Sequence, residues 1–213
     1  NSTSITSAGA LTLAGATGVD FGSGVTFAAG GTLSMTTTSG GITGAGAFTL
    51  TSTGDISLTE DFTTAGATVI TADSDGNGAG DFSISASKAL STGNSTLALT
   101  ANDVALSGSI SSGTGSTTIV VSDGGTIGLG GTTGNMTILA AELEKITAGT
   151  LNIGNNSTGN IIVDGITAAN SNNATAVNLT TASASSVNFS NNASTFKGLT
   201  VSAGNGISQS VDL

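Results

Sequence analysis

The stretch Val25-Thr26-Phe27-Ala28-Ala29-Gly30-Gly31-Thr32-Leu33-Ser34-Met35 is followed by Phe48-Thr49-Leu50-Thr51-Ser52-Thr53-Gly54-Asp55-Ile56-Ser57-Leu58, the same pattern displaced by roughly 23 residues. Each copy holds two apolar-x-apolar triplets. A period of two places the apolar members on one side of a strand and the Thr or Ser between them on the other. A repeat of this length with strand periodicity is one coil of a solenoid, whose hydrophobic side is buried only when neighbouring coils stack on it.

The pattern extends in both directions. One series of pairs runs Leu11/Leu13, Leu33/Met35, Ile56/Leu58, Phe82/Ile84, Val104/Leu106, Ile127/Leu129, Leu151/Ile153, Val177/Leu179 and Leu199/Val201. A second runs Val25/Phe27, Phe48/Leu50, Leu97/Leu99, Ile119/Val121, Ile161/Val163 and Val187/Phe189. The expected fold is all-β: a parallel β-helix (β-solenoid) of about nine coils, each with at least two short strands, and residues 1–213 forming a single segment. At the usual strand spacing such a stack is a rod about 40 Å long. Gly30-Gly31, Gly40-Gly41 and Gly124-Gly125 fall between pairs, where sharp corners call for positive φ. One interruption stands out near residues 138–147, where Leu139, Leu143 and Ile146 have helical spacing with acids early and Lys145 late. It predicts one or two helical turns set into a corner.

Composition agrees with small-residue stacking and excludes several classes of function. The chain has 33 Gly, 7 Phe, and no Pro, Cys, Trp, Tyr or His. Its core must therefore be aliphatic, and neither a disulfide framework nor a His/Cys metal site can be built. Charged residues make up only 8% while Val, Ile and Thr recur throughout, which separates the chain from disordered tracts. The net charge is −10, with 13 acids against three scattered lysines, Lys88, Lys145 and Lys197, and no arginine. Nucleic acid is not an expected partner, because phosphate neutralisation needs clusters of Lys or Arg. No apolar run approaches the length of a membrane helix, so membrane insertion is not expected.

Several residues are candidates for chemistry. Asp73-Ser74-Asp75-Gly76-Asn77-Gly78-Ala79-Gly80-Asp81 alternates oxygen ligands as calcium loops do, making Asp73, Asp75, Asn77 and Asp81 a candidate calcium site. The bidentate acid expected at the twelfth position is missing, since Ile84 stands there, and Gly/Asp turns are also ordinary corners. Both readings stay open; no cofactor is required, and calcium is the one candidate. Glu60/Asp61 and Glu142/Glu144 are the acid pairs that a polysaccharide-cleaving β-helix would need, but adjacent strand residues face opposite ways. Without histidine no serine has an evident base. The expectation is a chain that is not an enzyme. N-x-S/T sequons begin at Asn1, Asn94, Asn135, Asn155, Asn156, Asn173, Asn178, Asn188 and Asn192.

From about Leu97 to Ser208 the sequence resembles a recurring unit of filamentous-haemagglutinin-like bacterial surface proteins. The pieces are Leu99-Thr100-Ala101-Asn102-Asp103-Val104-Ala105-Leu106-Ser107-Gly108, Thr126-Ile127-Gly128-Leu129-Gly130-Gly131 and, most specific, Ala141-Glu142-Leu143-Glu144-Lys145-Ile146-Thr147-Ala148-Gly149-Thr150-Leu151-Asn152-Ile153-Gly154. The last looks like the family's AELxxITAGTLxIG stretch. The resemblance implies a right-handed coil, an extracellular or outer-surface location, and a role as structural spacer in a secreted fibre or adhesin. The alternatives are a self-assembling filament subunit joined end to end by β-augmentation and, in another class, a β-helical polysaccharide-degrading enzyme. Expected partners are neighbouring copies or adjoining repeats meeting at the rod ends, and host or surface glycans.

Overall fold

A computed structural model describes residues 3–212, so the sequon at Asn1 lies outside the described residues. Three strands make up each of the first five coils. They are β1 (Thr3–Ser7), β2 (Leu11–Gly15) and β3 (Val19–Phe21); β4 (Val25–Ala29), β5 (Leu33–Thr37) and β6 (Ile42–Gly44); β7 (Phe48–Ser52), β8 (Ile56–Leu58) and β9 (Phe62–Thr64). Then come β10 (Thr68–Thr71), β11 (Phe82–Ile84) and β12 (Ala89–Ser91), followed by β13 (Leu97–Ala101), β14 (Val104–Leu106) and β15 (Ser109–Ser111). Corresponding strands pair in parallel and in register, Thr26 opposite Thr49 and Ser34 opposite Ser57, so the coils build three sheets, A, B and C. The repeat seen in the sequence is thus the repeat of the stack.

The remaining chain comprises β16 (Ser116–Val121), β17 (Ile127–Gly130), β18 (Met136–Ile138), helix α1 (Ala140–Leu143), β19 (Ile146–Ile153), β20 (Ile161–Asp164), helix α2 (Ala168–Ser171), β21 (Ala174–Thr180), β22 (Val187–Phe189), β23 (Leu199–Ser202) and β24 (Ile207–Gln209). Sheet A continues without a gap through β16, β19, β21 and β23, giving nine strands and therefore nine coils among the described residues. Sheet B stops at β14. A separate sheet D takes over its face in the order β18-β17-β20-β22-β24. After β17 the chain doubles back and lays β18 on the side of β17 that faces β14. That face consequently holds ten layers, five of sheet B and five of sheet D, against nine in sheet A.

The interior follows the alternation. β4, β5 and β7 bury every second residue, among them Val25, Phe27, Leu33, Met35, Phe48 and Leu50. Phe21, Phe27, Phe48 and Phe62 meet at centroid distances of 5.0–5.7 Å, mostly edge to face, and fill the first three coils. Where sheet C turns into sheet A the inward residues are hydroxyls instead, which bond one another and the corner carbonyls. Thr64 meets Thr68 at 2.6 Å, Ser112 meets Thr117 at 2.9 Å, and Thr92 donates to the Ser95 carbonyl at 2.6 Å. No buried side-chain polar atom among the described residues lacks a partner, as a low-dielectric interior requires.

Three details differ from the sequence reading. Sheet C, carrying single buried residues such as Ile42, Phe62, Leu90, Ile110 and Ile146, is a third strand per coil that pairs alone do not reveal. The expected helix is a single turn; Leu143 is buried, Ile146 already belongs to β19, and Leu139 is half exposed. Glycines at corners serve two purposes. Gly40 and Gly124 have φ of 77° and 70°, whereas Gly30 has no such strain but sits so close to the preceding coil that a Cβ would lie 2.3 Å from the Ala8 carbonyl oxygen.

Candidate functional site

The Asp73 loop leaves sheet A after β10 and returns at β11. Asp73 is buried with φ of 53°, and its carboxylate turns back into its own loop. Oδ1 accepts the Asn77 N–H at 3.0 Å, and Oδ2 accepts the Gly78 N–H at 3.0 Å and the Ser122 hydroxyl from two coils above. Burial pushes its pKa up, but the hydrogen bonds from Ser122, Gly78 and Asn77 outweigh burial and hold the carboxyl below its usual value. Asn77 turns its amide to donate to Asp75 at 2.9 Å. Asp81 instead serves the neighbouring coils, accepting Asn102 Nδ2 at 2.9 Å and the Asp103 N–H at 3.1 Å. Asp73, Asp75 and Asp81 do not gather into a group that could hold a metal ion, and no three acids do so elsewhere among the described residues.

The acid pairs take structural positions. Glu60 and Asp61 lie in a corner rather than within a strand, so strand alternation does not separate them. Both reach the next coil, Glu60 accepting Lys88 Nζ at 2.6 Å and Asp61 accepting the Ala89 N–H at 2.9 Å. Glu142 and Glu144 part company. Glu142 is buried and accepts the N–H groups of Leu106 at 2.8 Å and Leu139 at 2.9 Å, while Glu144 accepts the Asn170 amide of α2.

These contacts explain how sheet B can end inside the molecule. A β-strand whose next neighbour is missing leaves buried N–H and C=O groups, which is costly unless side chains replace the absent ladder. Glu142 takes the Leu106 N–H, and Lys145 Nζ donates to the Leu106 carbonyl at 2.6 Å. Asp103 Oδ1 accepts both the Val104 N–H at 2.9 Å and the Thr137 N–H of β18 at 2.8 Å. The stretch Ala141–Gly154 that carries the family resemblance is this step. Leu143, Ile146, Ala148, Leu151 and Ile153 are buried, a Cβ on Gly149 would lie 2.2 Å from the Thr114 carbonyl oxygen, and Gly154 has φ of 78°.

Two surface hollows flank the step. One of about 570 Å³ lies between Gly130–Gly131, Leu139–Ala141, Asp164–Gly165 and Asn192–Ala193. Its acid, Asp164, is buried and fully engaged: Asn192 donates to Oδ1 through Nδ2 (2.8 Å) and N–H (3.0 Å), and Asn191 donates to Oδ2 (3.1 Å). The Asn192 contacts keep its carboxyl below the usual value despite burial. The second hollow, about 300 Å³, is lined by Ser87, Lys88, Ala89, Ser107, Gly108, Ser109 and Lys145. It brings together two lysines that sequence spacing alone leaves scattered. The signal was present, since both precede a sheet C strand, but that strand has to be known first.

No known family model matches the chain, and no curated protein sequence or solved structure matches it either.

Proposed function

We propose that this chain is a rigid spacer in a bacterial surface fibre or adhesin and is not itself catalytic. The observation that carries this reading is the unbroken sheet A, in which nine parallel strands repeat in one register from β1 to β23. Parallel ladders running along an axis resist bending and local unfolding together, because opening one coil exposes the core of its neighbours. The resemblance of Leu97–Ser208 to haemagglutinin-like repeats supports the same reading. So does the engagement of the buried acids in capping and turn bonds, which leaves no pair of carboxylates set across a groove as glycoside cleavage needs. The Asp73 loop closes on its own N–H groups, so we read it as a corner that stands without calcium.

A second reading, end-to-end assembly with like coils, is favoured by the two terminal coils. Ile5 is 38% and Ile207 56% exposed, and Leu11, Leu13, Val19, Phe21, Leu199 and Val201 are only partly covered. β1 and β23 each pair on one side only among the described residues, so each presents a free strand edge to an adjoining repeat or a second copy. Electron microscopy of the native material tests both. Rods within one long chain support the spacer, filaments with an axial repeat near 40 Å support subunit stacking, and compact particles refute both. Release of reducing ends from a polysaccharide by the purified chain would overturn the non-catalytic reading.

A further inference from the structure

The three lysines, which are all the side-chain cations of the chain, stand on one edge of the rod. The Lys88 carbonyl accepts the Ser109 N–H and the Lys145 carbonyl accepts the Ile110 N–H, each at 2.9 Å, so Lys88 lies one coil below Ser109–Ile110 and Lys145 one coil above. Lys197 continues the line. Its N–H donates to Ser171 Oγ at 3.0 Å and its Nζ to the Asn172 carbonyl at 3.3 Å, one coil above residues that themselves sit on Glu144 through Asn170 and Asn173. The lysines therefore recur every second coil, at intervals of about 10 Å.

We propose that this edge is a docking line for a linear acidic polysaccharide running parallel to the rod, one carboxylate to each lysine. Two sugar residues of an extended chain span the same distance as two coils, so a polymer with one uronate per disaccharide matches the lysines in register. Each ammonium has three donors, and the structure commits one of them: to Glu60, to the Leu106 carbonyl and to the Asn172 carbonyl. Between Lys88 and Lys145 the 300 Å³ hollow offers the exposed Ser87, Ser107 and Ser109 to sugar hydroxyls and contains no carboxylate. The acids that face the line are Glu60 and Asp61 below Lys88 and Glu144 beside Lys145. They make each contact weak, so binding depends on several lysines acting on one polymer. The proposal names a partner for the same rod and rests on the spacer reading. Its failure would leave the rod's dimensions in the microscope unchanged, whereas failure of the spacer reading would show there.

The test is binding of the full chain to long hyaluronan by interferometry at low ionic strength, with a neutral glucan and single-stranded DNA as comparison polymers. Hyaluronan is expected to bind, and to be released at about 0.5 M salt, where screening reaches only a few ångströms. The triple variant K88Q/K145Q/K197Q, checked for an unchanged circular dichroism spectrum, should bind at least about tenfold more weakly, because avidity multiplies the three losses. The triple Lys→Arg variant should keep binding, and Glu60→Gln should strengthen it. Absence of hyaluronan binding at low salt, undiminished binding by the glutamine variant, equal binding of the neutral glucan, or tighter binding of the DNA would each overturn the proposal.

Discussion

Coils one to five and coils six to nine are built from the same residues yet solve the edge problem differently. In the first group every strand finds its hydrogen-bond partner in the backbone of the next coil, and sheets A, B and C rise together. In the second, sheet B has no continuation, and three ionisable side chains, Asp103, Glu142 and Lys145, stand where a backbone ladder would be. Solenoid regularity is thus a property of backbone pairing that side chains can interrupt locally. The interruption does not break sheet A or the shared core.

The sharpest way to separate the two halves is to damage each in turn. Phe48→Ala removes the ring that touches Phe21, Phe27 and Phe62 and should cost about 3–5 kcal/mol in denaturant unfolding, with faster amide exchange concentrated in the first three coils. Glu142→Ala leaves the Leu106 and Leu139 N–H groups without their acceptor and strands the Lys145 contact beside them. A loss of about 2–3 kcal/mol is expected, and amide exchange should accelerate at Leu106 while sheet A stays protected. Equal loss of protection in sheet A would show that the two halves unfold as one unit.

Smaller effects follow at the buried aspartates. Asp73→Asn should cost about 1–2 kcal/mol, read from the urea midpoint. Asp73 and Asp164 both have carboxyls held below their ordinary 3.8, so each stabilises the fold fully above that pH, and its contribution is lost as pH falls through the depressed folded value. An acid titration of the melting temperature should therefore be flat near neutrality and fall only below about pH 4. Smallest of all is the response to calcium. Removal by a chelator or addition of millimolar calcium should leave the melting temperature unmoved, and a rise on addition would restore Asp73, Asp75, Asn77 and Asp81 as ligands.

The regular half was nearly transparent in sequence because strand periodicity and coil period coincide there. Val25/Phe27 and Phe48/Leu50 are adjacent in space for the same reason that they match in sequence. The step was harder to read. Past Gly131 the chain spends additional residues on β18 and α1, so the series that starts on sheet B at Leu11/Leu13 passes to sheet A at Leu151/Ile153, while its companion moves from sheet A to sheet D at Ile161/Val163. Apolar pairs on different sheets look alike, and only the pairing partners distinguish them. Helix α2 was invisible because its single turn carries small polar residues, held by Asn170 accepting from the Thr167 N–H and hydroxyl at 2.7 Å. Of the loop aspartates, the spacing showed a tight oxygen-rich turn at Asp73 but not which way the carboxylate faced, since backbone N–H groups compete with a cation for the same oxygens.

Ten layers on one face against nine on another form, in the language of crystals, an edge dislocation: a half-plane that begins at Glu142 and ends nowhere else in the stack. A lattice accommodates such a half-plane by tilting the planes on either side of it. Placed once in every long run of coils, the same short insertion would give a fibre a defined curvature while leaving the hydrogen bonds of the regular coils untouched.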